Sequence, residues 1–170
     1  MRVETVLTEE QIASRTRELA QQIQRAYAES RPLLLSVLKG SVFFLADLAR
    51  ELGSGYPIDF MAVASYDGTR STRAVEIRLD VSTHIEGRDV LIVEDIVDSG
   101  LTLEYLLGVL KARGATSVRV VTLLFKSDAF QGRDRPDFIG FELPNEFVVG
   151  YGMDLNEEWR NLKFVGRLVP

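Results

Sequence analysis

The sequence predicts an α/β protein built on a parallel, Rossmann-like sheet with flanking helices and a small C-terminal hood, and three observations carry that prediction. Leu33–Leu38, Val90–Val93 and Val118–Phe125 are short apolar runs without alternation, as expected of strands covered on both faces. The first two are each followed by a segment with helical spacing of apolar residues, Val42–Leu52 and Leu103–Arg113. Strand, helix and strand in that order make parallel neighbours joined by right-handed crossovers.

The elements follow in order. Thr8-Glu9-Glu10-Gln11 has the form of a capping box, after which Ile12, Leu19, Ile23 and Tyr27 give an amphipathic first helix to about Ser30. Pro32 separates it from the first buried strand, which Lys39-Gly40-Ser41 breaks. In the second helix Phe43, Phe44, Leu48 and Leu52 are available for the core, and Gly53 closes it. A strand is expected near Ile58 to Ala64, then an exposed polar loop over 65–73, then a flanking strand over Val75 to Val81. Glu86-Gly87-Arg88-Asp89 turns into the second buried strand, which ends in Glu94-Asp95. The third helix carries Leu103, Leu106, Leu107 and Leu110 on one stripe and stops at Gly114. Beyond Lys126 the chain is richer in Pro and Gly, with short apolar runs at 147–149 and 163–169, and reads as a cap over the sheet edge.

Composition narrows the function. The 170 residues are 46% hydrophobic and 26% charged, which matches a folded globular chain rather than a disordered or fibrous one. No repeat, low-complexity tract or flexible linker divides it, so residues 1–170 are read as a single domain, with a core sheet over about 30–126 and a hood over about 127–170. A net charge of −5 gives no general attraction to nucleic acid or anionic membrane. The lack of Cys removes thiolate metal sites, and a single His leaves any metal to oxygen ligands, which favours Mg²⁺ chemistry. The start has no apolar leader and no window approaches about 18 apolar residues, so a cytoplasmic location is expected.

The acidic strand end is the informative feature. In open parallel sheets the ligand crevice lies beyond the carboxyl ends of the strands, where Glu94, Asp95 and Asp98 fall. Alternation sends Glu94 and Asp95 to opposite sides of the strand unless the chain is already leaving the sheet there. Asp98-Ser99-Gly100-Leu101-Thr102 then supplies small and hydroxylated residues whose N–H groups converge on an anion, at the start of the next helix. Three carboxylates beside a phosphate conflict, since like charges about 4 Å apart repel by roughly 4 kcal/mol at an effective dielectric near 20. The conflict disappears if the acids hold sugar hydroxyls or Mg²⁺ and only the loop touches phosphate, so the implied ligand is a sugar phosphate with metal. Competing motifs fail: there is no G-x-x-x-x-G-K-[ST], no G-x-S-x-G, and Gly150-Tyr151-Gly152-Met153-Asp154-Leu155 lacks the third glycine of a dinucleotide fingerprint.

The run Val90-Leu91-Ile92-Val93-Glu94-Asp95-Ile96-Val97-Asp98-Ser99-Gly100-Leu101-Thr102 resembles the 5-phosphoribosyl-1-diphosphate (PRPP) signature of type I phosphoribosyltransferases, in the form used by bacterial hypoxanthine-guanine enzymes. The resemblance extends through Leu38-Lys39-Gly40, Ser65-Tyr66, Lys126, Phe147 to Tyr151, Asp154, Asn156-Glu157 and Arg160. It implies the type I phosphoribosyltransferase fold and the exchange of pyrophosphate on ribose C1 for N9 of a 6-oxopurine. On that resemblance Glu94 and Asp95 would hold the ribose hydroxyls, directly or through Mg²⁺, and Asp98, Ser99, Gly100, Leu101 and Thr102 would bind the 5-phosphate. Lys39, after a family-specific cis peptide, Gly40 and Arg160 would face the pyrophosphate, with Asp154 and Mg²⁺ completing its neutralisation. Phe147 would stack on the purine, Val148 would read its edge, Lys126 would donate to O6, and Asp98 would accept the N7 proton. Ser65-Tyr66 would begin a lid. The resemblance further implies a homodimer or homotetramer.

This chain departs from the family pattern at Thr72-Arg73, Ser82, Glu146 and Ser127-Asp128, which bears on lid and base preference. Taken alone, Lys39 is a solvated charge, Phe147 a core residue, and Asp154, Glu157, Glu158 and Arg160 a solvated charged face. The resemblance changes that for Asp154 and Arg160 only. His84 and Trp159 are expected to be structural or at the surface. Two further functions share the fold: a PRPP-sensing regulator, disfavoured by the acidic charge, and a xanthine-preferring transferase.

Overall fold

The computed structural model describes residues 2–66 and 74–170. Eleven elements follow one another: β1 (Arg2–Leu7), α1 (Glu9–Tyr27), β2 (Leu33–Leu38), α2 (Val42–Leu52), β3 (Ile58–Tyr66), β4 (Ala74–Leu79), β5 (Asp89–Val97), α3 (Leu101–Ala112), β6 (Ser117–Phe125), β7 (Phe138–Glu142) and β8 (Val165–Val169). The main sheet has the order β4-β3-β2-β5-β6-β7, and β1 pairs with β8 in a separate two-stranded ribbon.

Every neighbour in the main sheet is parallel except β4, which returns antiparallel along β3. The order reverses direction between β2 and β5, so the chain leaves these two neighbours toward opposite sides and opens a crevice at their carboxyl ends. The helices confirm the split. Leu34, Leu91, Val93 and Val121 pack on one face with α1 and α2, and Leu33, Leu35, Ile92 and Val120 on the other with α3. Strands covered this way have no polar face to alternate, which is why β2 and β5 read as continuous apolar runs.

Local chemistry sets the helix ends. Thr8 Oγ1 accepts from Gln11 N at 3.2 Å and the Gln11 side chain accepts from Thr8 N at 2.8 Å, so the capping box forms as expected. α2 ends at Gly53 with φ 80°, whose N–H donates to Ala49 O at 3.1 Å. α1 stops at Tyr27 rather than near Ser30, because Ala28 already has φ 50°.

Two expectations are corrected, and one further strand appears. The acids at 94 and 95 lie inside a strand that runs on to Val97, held by pairing of Glu94 with Thr122 and of Val97 with Phe125. The sheet does not stop at 126: β7 extends it beside β6, a five-residue strand interrupted by Gly140 and too short for a legible pattern. The first residues form β1, whose partner β8 lies at the other end of the chain, so no local signal announces it. The ribbon and residues 143–164 together make the hood. Thr72-Arg73 and most of the predicted loop lie outside the described residues; Ser65 and Tyr66 end β3. No helix among the described residues is long and apolar enough to cross a membrane.

Candidate active site

Parallel register brings the first two functional groups together. Because Val97 pairs with Phe125, the next residues, Asp98 and Lys126, emerge side by side. Lys126 Nζ lies 3.0 Å from Asp98 Oδ2, and Lys126 is only 7% exposed although it is a lysine. Its backbone N–H also donates to Val97 O at 3.0 Å.

Glu94 and Asp95 do point to opposite sides of β5, as alternation requires. Glu94, 8% exposed, lines a recess of about 140 Å³ with Asp98, Ser99, Gly100 and Thr102 at the start of α3. Asp95 lines a second recess of about 250 Å³ with Gly40, Lys126, Phe147, Asp154 and Arg160. Ile96 and Asp98 belong to both, so the two recesses meet around the strand end. One cleft therefore wraps the end of β5. Burial, with Asp95 adjacent, holds the Glu94 carboxyl well above the usual carboxylate range. Burial also pushes Asp95 up to about 6, helped by the charge of Asp154 and opposed by local backbone N–H groups and Arg160.

The first recess is built as an anion cradle. Gly100 takes a left-handed φ of 83° and no side chain caps α3. Ser99 Oγ reaches Leu101 N only at 3.5 Å, so the first N–H groups of the helix face the loop with their partial positive charge.

The second recess is assembled from three segments. At the end of β2 the Leu38-Lys39 peptide is cis, as the resemblance implied. Gly40 follows against Asp95: a Cβ on Gly40 would stand 1.8 Å from Asp95 Oδ2. From the hood, Gly152, with φ 103°, packs so that its own Cβ would stand 1.8 Å from Gly40 O. Asp95, Gly40 and Gly152 are thus stacked without space for a methyl group. Arg160 clamps this stack, donating from NH1 to Gly152 O at 2.8 Å and from NH2 to Asp154 Oδ1 at 2.9 Å. Its Nε is buried and has no hydrogen-bond partner among the described residues. Phe147 is 56% exposed at the mouth, with Val148 buried beside it.

Glu157, which the sequence alone places on a solvated charged face, is tied to the site by three contacts. Its carboxylate accepts from Lys39 Nζ at 3.0 Å and from Arg160 NH2 at 3.4 Å, and its N–H donates to Asp154 Oδ2 at 2.8 Å. The Lys39 ammonium beside it holds its carboxyl below the usual range. The available signal was Asn156, a common first residue of a tight turn. His84 is exposed beside Glu86, outside the cleft.

Among the described residues no three or more His, Asp or Glu side chains converge as a metal cage. Asp95 and Asp154 face one recess with oxygen donors only. That set fits Mg²⁺, which takes one or two protein carboxylates and completes its shell with ligand oxygens and water.

A family model described as the phosphoribosyl transferase domain matches residues 2–156. The chain is 47% identical to the hypoxanthine-guanine phosphoribosyltransferase of Lactococcus lactis over 170 residues, covering 99% of this chain and 92% of that one. It is 44% identical to the enzyme of the same name from Bacillus subtilis, covering 97% and 92%. Among solved structures, a hypoxanthine phosphoribosyltransferase from Staphylococcus aureus superposes with a TM-score of 0.93 at 40% identity, covering 98% and 91%. A Bacillus anthracis hypoxanthine-guanine phosphoribosyltransferase with a HEPES molecule in its active site superposes with a TM-score of 0.93 at 38% identity, covering 98% of each chain.

Proposed function

The chain belongs to the phosphoribosyl transferase domain family, and from that premise we propose that it is a purine-salvage enzyme that moves the 5-phosphoribosyl group of PRPP to N9 of hypoxanthine or guanine. IMP or GMP and pyrophosphate are the products. The observation that carries this reading is the second recess, which the Asp98–Lys126 pair lines together with the clamp of Asp154 and Arg160. Groups suited to a base and groups suited to a departing polyanion share one space of about 250 Å³.

The roles follow from position. N–H groups at the start of α3, with Ser99, Gly100, Leu101 and Thr102, hold the 5-phosphate. Glu94 and Asp95 accept hydrogen bonds from the ribose hydroxyls on either side of the strand end. Asp154 with Asp95 or Glu94, together with ligand oxygens, would hold Mg²⁺, which would supply positive charge against the diphosphate. Lys39, Gly40 and Arg160 hold the leaving group; the free donor at Arg160 Nε adds to that capacity. Phe147 stacks on the purine, Val148 contacts its edge, and Lys126 donates to O6. As N9 attacks C1, the bond from C1 to the pyrophosphate oxygen breaks and Asp98 takes the proton from N7. Ser65 and Tyr66, at the end of β3, lead into the lid that excludes water.

In this reading the sheet carries the PRPP site and the hood the purine pocket, in a cytoplasmic homodimer or homotetramer. Exposed Val42, Phe43 and Ile58 offer apolar surface for that association, and light scattering reads the state. The test of the activity is a spectrophotometric assay with PRPP, Mg²⁺ and hypoxanthine, guanine or xanthine in turn. Conversion of hypoxanthine or guanine supports the reading, and no conversion of any of the three overturns it.

A further inference from the structure

The hood holds four residues other than glycine at positive φ, Tyr151, Asn156, Glu157 and Trp159, and Glu157 is the one among them whose side chain joins two cations of the cleft. Two tight turns follow each other there, Gly150–Met153 and Leu155–Glu158. The first is closed by backbone hydrogen bonds of 2.9 and 3.1 Å, the second by bonds of 3.2 and 3.1 Å. In both, the two central residues have positive φ: 48° at Tyr151 and 103° at Gly152, then 53° at Asn156 and 66° at Glu157. This is the type I′ pattern, whose second central position is ordinarily glycine. Gly152 follows that preference and Glu157 does not. A left-handed glutamate is retained only where its surroundings hold it, and such outliers point to function.

What Glu157 does in that position is specific. Its carboxylate bridges Lys39 Nζ at 3.0 Å and Arg160 NH2 at 3.4 Å, two cations from separate segments. A carboxylate and a diphosphate present the same kind of anionic oxygen to such donors, so they compete for them. The Lys39–Glu157 pair is exposed, 68% on one side and 64% on the other, which makes it weak enough to be displaced.

We infer that Glu157 is an internal stand-in for pyrophosphate: it keeps Lys39 and Arg160 paired and aligned before substrate binds, yields them to the diphosphate of PRPP, and retakes them as the product leaves. Glu157 is therefore a positioning residue that weakens product binding and favours release. The inference rests on the reading that Lys39 and Arg160 hold pyrophosphate.

The test compares the wild-type protein with Glu157→Gln and Glu157→Gly, using hypoxanthine, PRPP and Mg²⁺ with added pyrophosphate as product inhibitor, alongside thermal melting. Glutamine removes the charge and keeps the disfavoured φ; glycine removes both. The inhibition constant for pyrophosphate should fall by about fivefold in both variants, and the glycine variant should melt above the glutamine variant. An unchanged or higher inhibition constant in the active variants overturns the stand-in role and leaves the transferase reading standing. A glycine variant that melts no higher removes the strain on which the inference depends and overturns it too. A wild-type protein that forms no nucleotide from any 6-oxopurine sinks the transferase reading and this inference with it.

Discussion

Lys126 Nζ and Asp98 Oδ2 meet at 3.0 Å where two adjacent parallel strands end, one group buried and the other about half exposed. Asp98 therefore has a fixed cationic neighbour and a free face toward the cleft. Asp98→Asn keeps the size and removes the carboxylate proposed to accept the purine proton. Turnover should drop by about a hundredfold or more, with KM for PRPP little changed. Steady-state kinetics checks this; equal losses in both would reduce Asp98 to a binding group. Lys126→Ala should instead raise KM for the purine.

Gly40→Ala places a methyl group where the Asp95 carboxylate now sits, 1.8 Å from Oδ2. The carboxylate must swing away, although the surrounding sheet is untouched. Activity should fall by about a hundredfold while far-ultraviolet circular dichroism stays that of the parent. Retained activity would show that Asp95 need not be held there.

The two β5 acids make the ligand-free protein sensitive to alkali. Burial raises Asp95 from an ordinary 3.8 to about 6, so the folded chain holds that proton more tightly than the unfolded one. Its stabilising contribution is complete below about pH 4 and is lost as pH rises through about 6. Glu94 shifts in the same direction. Asp95→Asn should raise the melting temperature at pH 8 by several degrees, on the order of 2 kcal/mol, and change little at pH 4. A variant less stable than the parent at pH 8 would contradict this.

Asp59 gives the opposite dependence. Burial pushes its carboxyl up, but hydrogen bonds from Thr83, Phe60 and Ser82 outweigh that and hold it at about 2. Its Oδ2 accepts from Ser82 N at 3.0 Å and Thr83 N at 2.7 Å, tying the chain after β4 back to β3. With a depressed value, the stabilisation is present above about pH 4 and is lost as pH falls toward 2. Asp59→Asn should cost about 2 kcal/mol at pH 7 and almost nothing at pH 2, read from urea unfolding. The same loss at both pH values would mean that shape rather than charge matters.

Much of this architecture was legible because its signals are local. β2, β5 and β6 declare themselves as mostly apolar segments without strict alternation, α1 by Thr8 and Gln11, α2 by Gly53. The cradle before α3 was legible for the same reason, since Asp98 to Thr102 are consecutive. Contacts between distant segments were not. β1 finds β8 across nearly the whole chain, and Glu157 finds Lys39 over 118 positions, so no spacing rule could connect them. Arg160 alone reads as a surface charge, and the turn Leu155–Glu158 folds the chain back so that its guanidinium meets Asp154. Asp95 is intermediate: strand alternation foresaw its side of β5, but its packing against Gly40 depends on how β2 ends.

The two recesses on either side of the end of β5 divide the work between parts that differ in how freely they can vary. The recess proposed for the sugar phosphate is framed by backbone amides and a helix start that follow directly on β5, so changes there would act at the end of the main sheet. The recess proposed for the purine is lined in part by Phe147 and Val148, borne on an irregular stretch outside the main sheet. Substitutions in that stretch can retune which nucleobase is accepted while the donor sugar is handled as before. A catalyst divided in this way is a natural starting point for selecting altered base preference, with diversity confined to the hood.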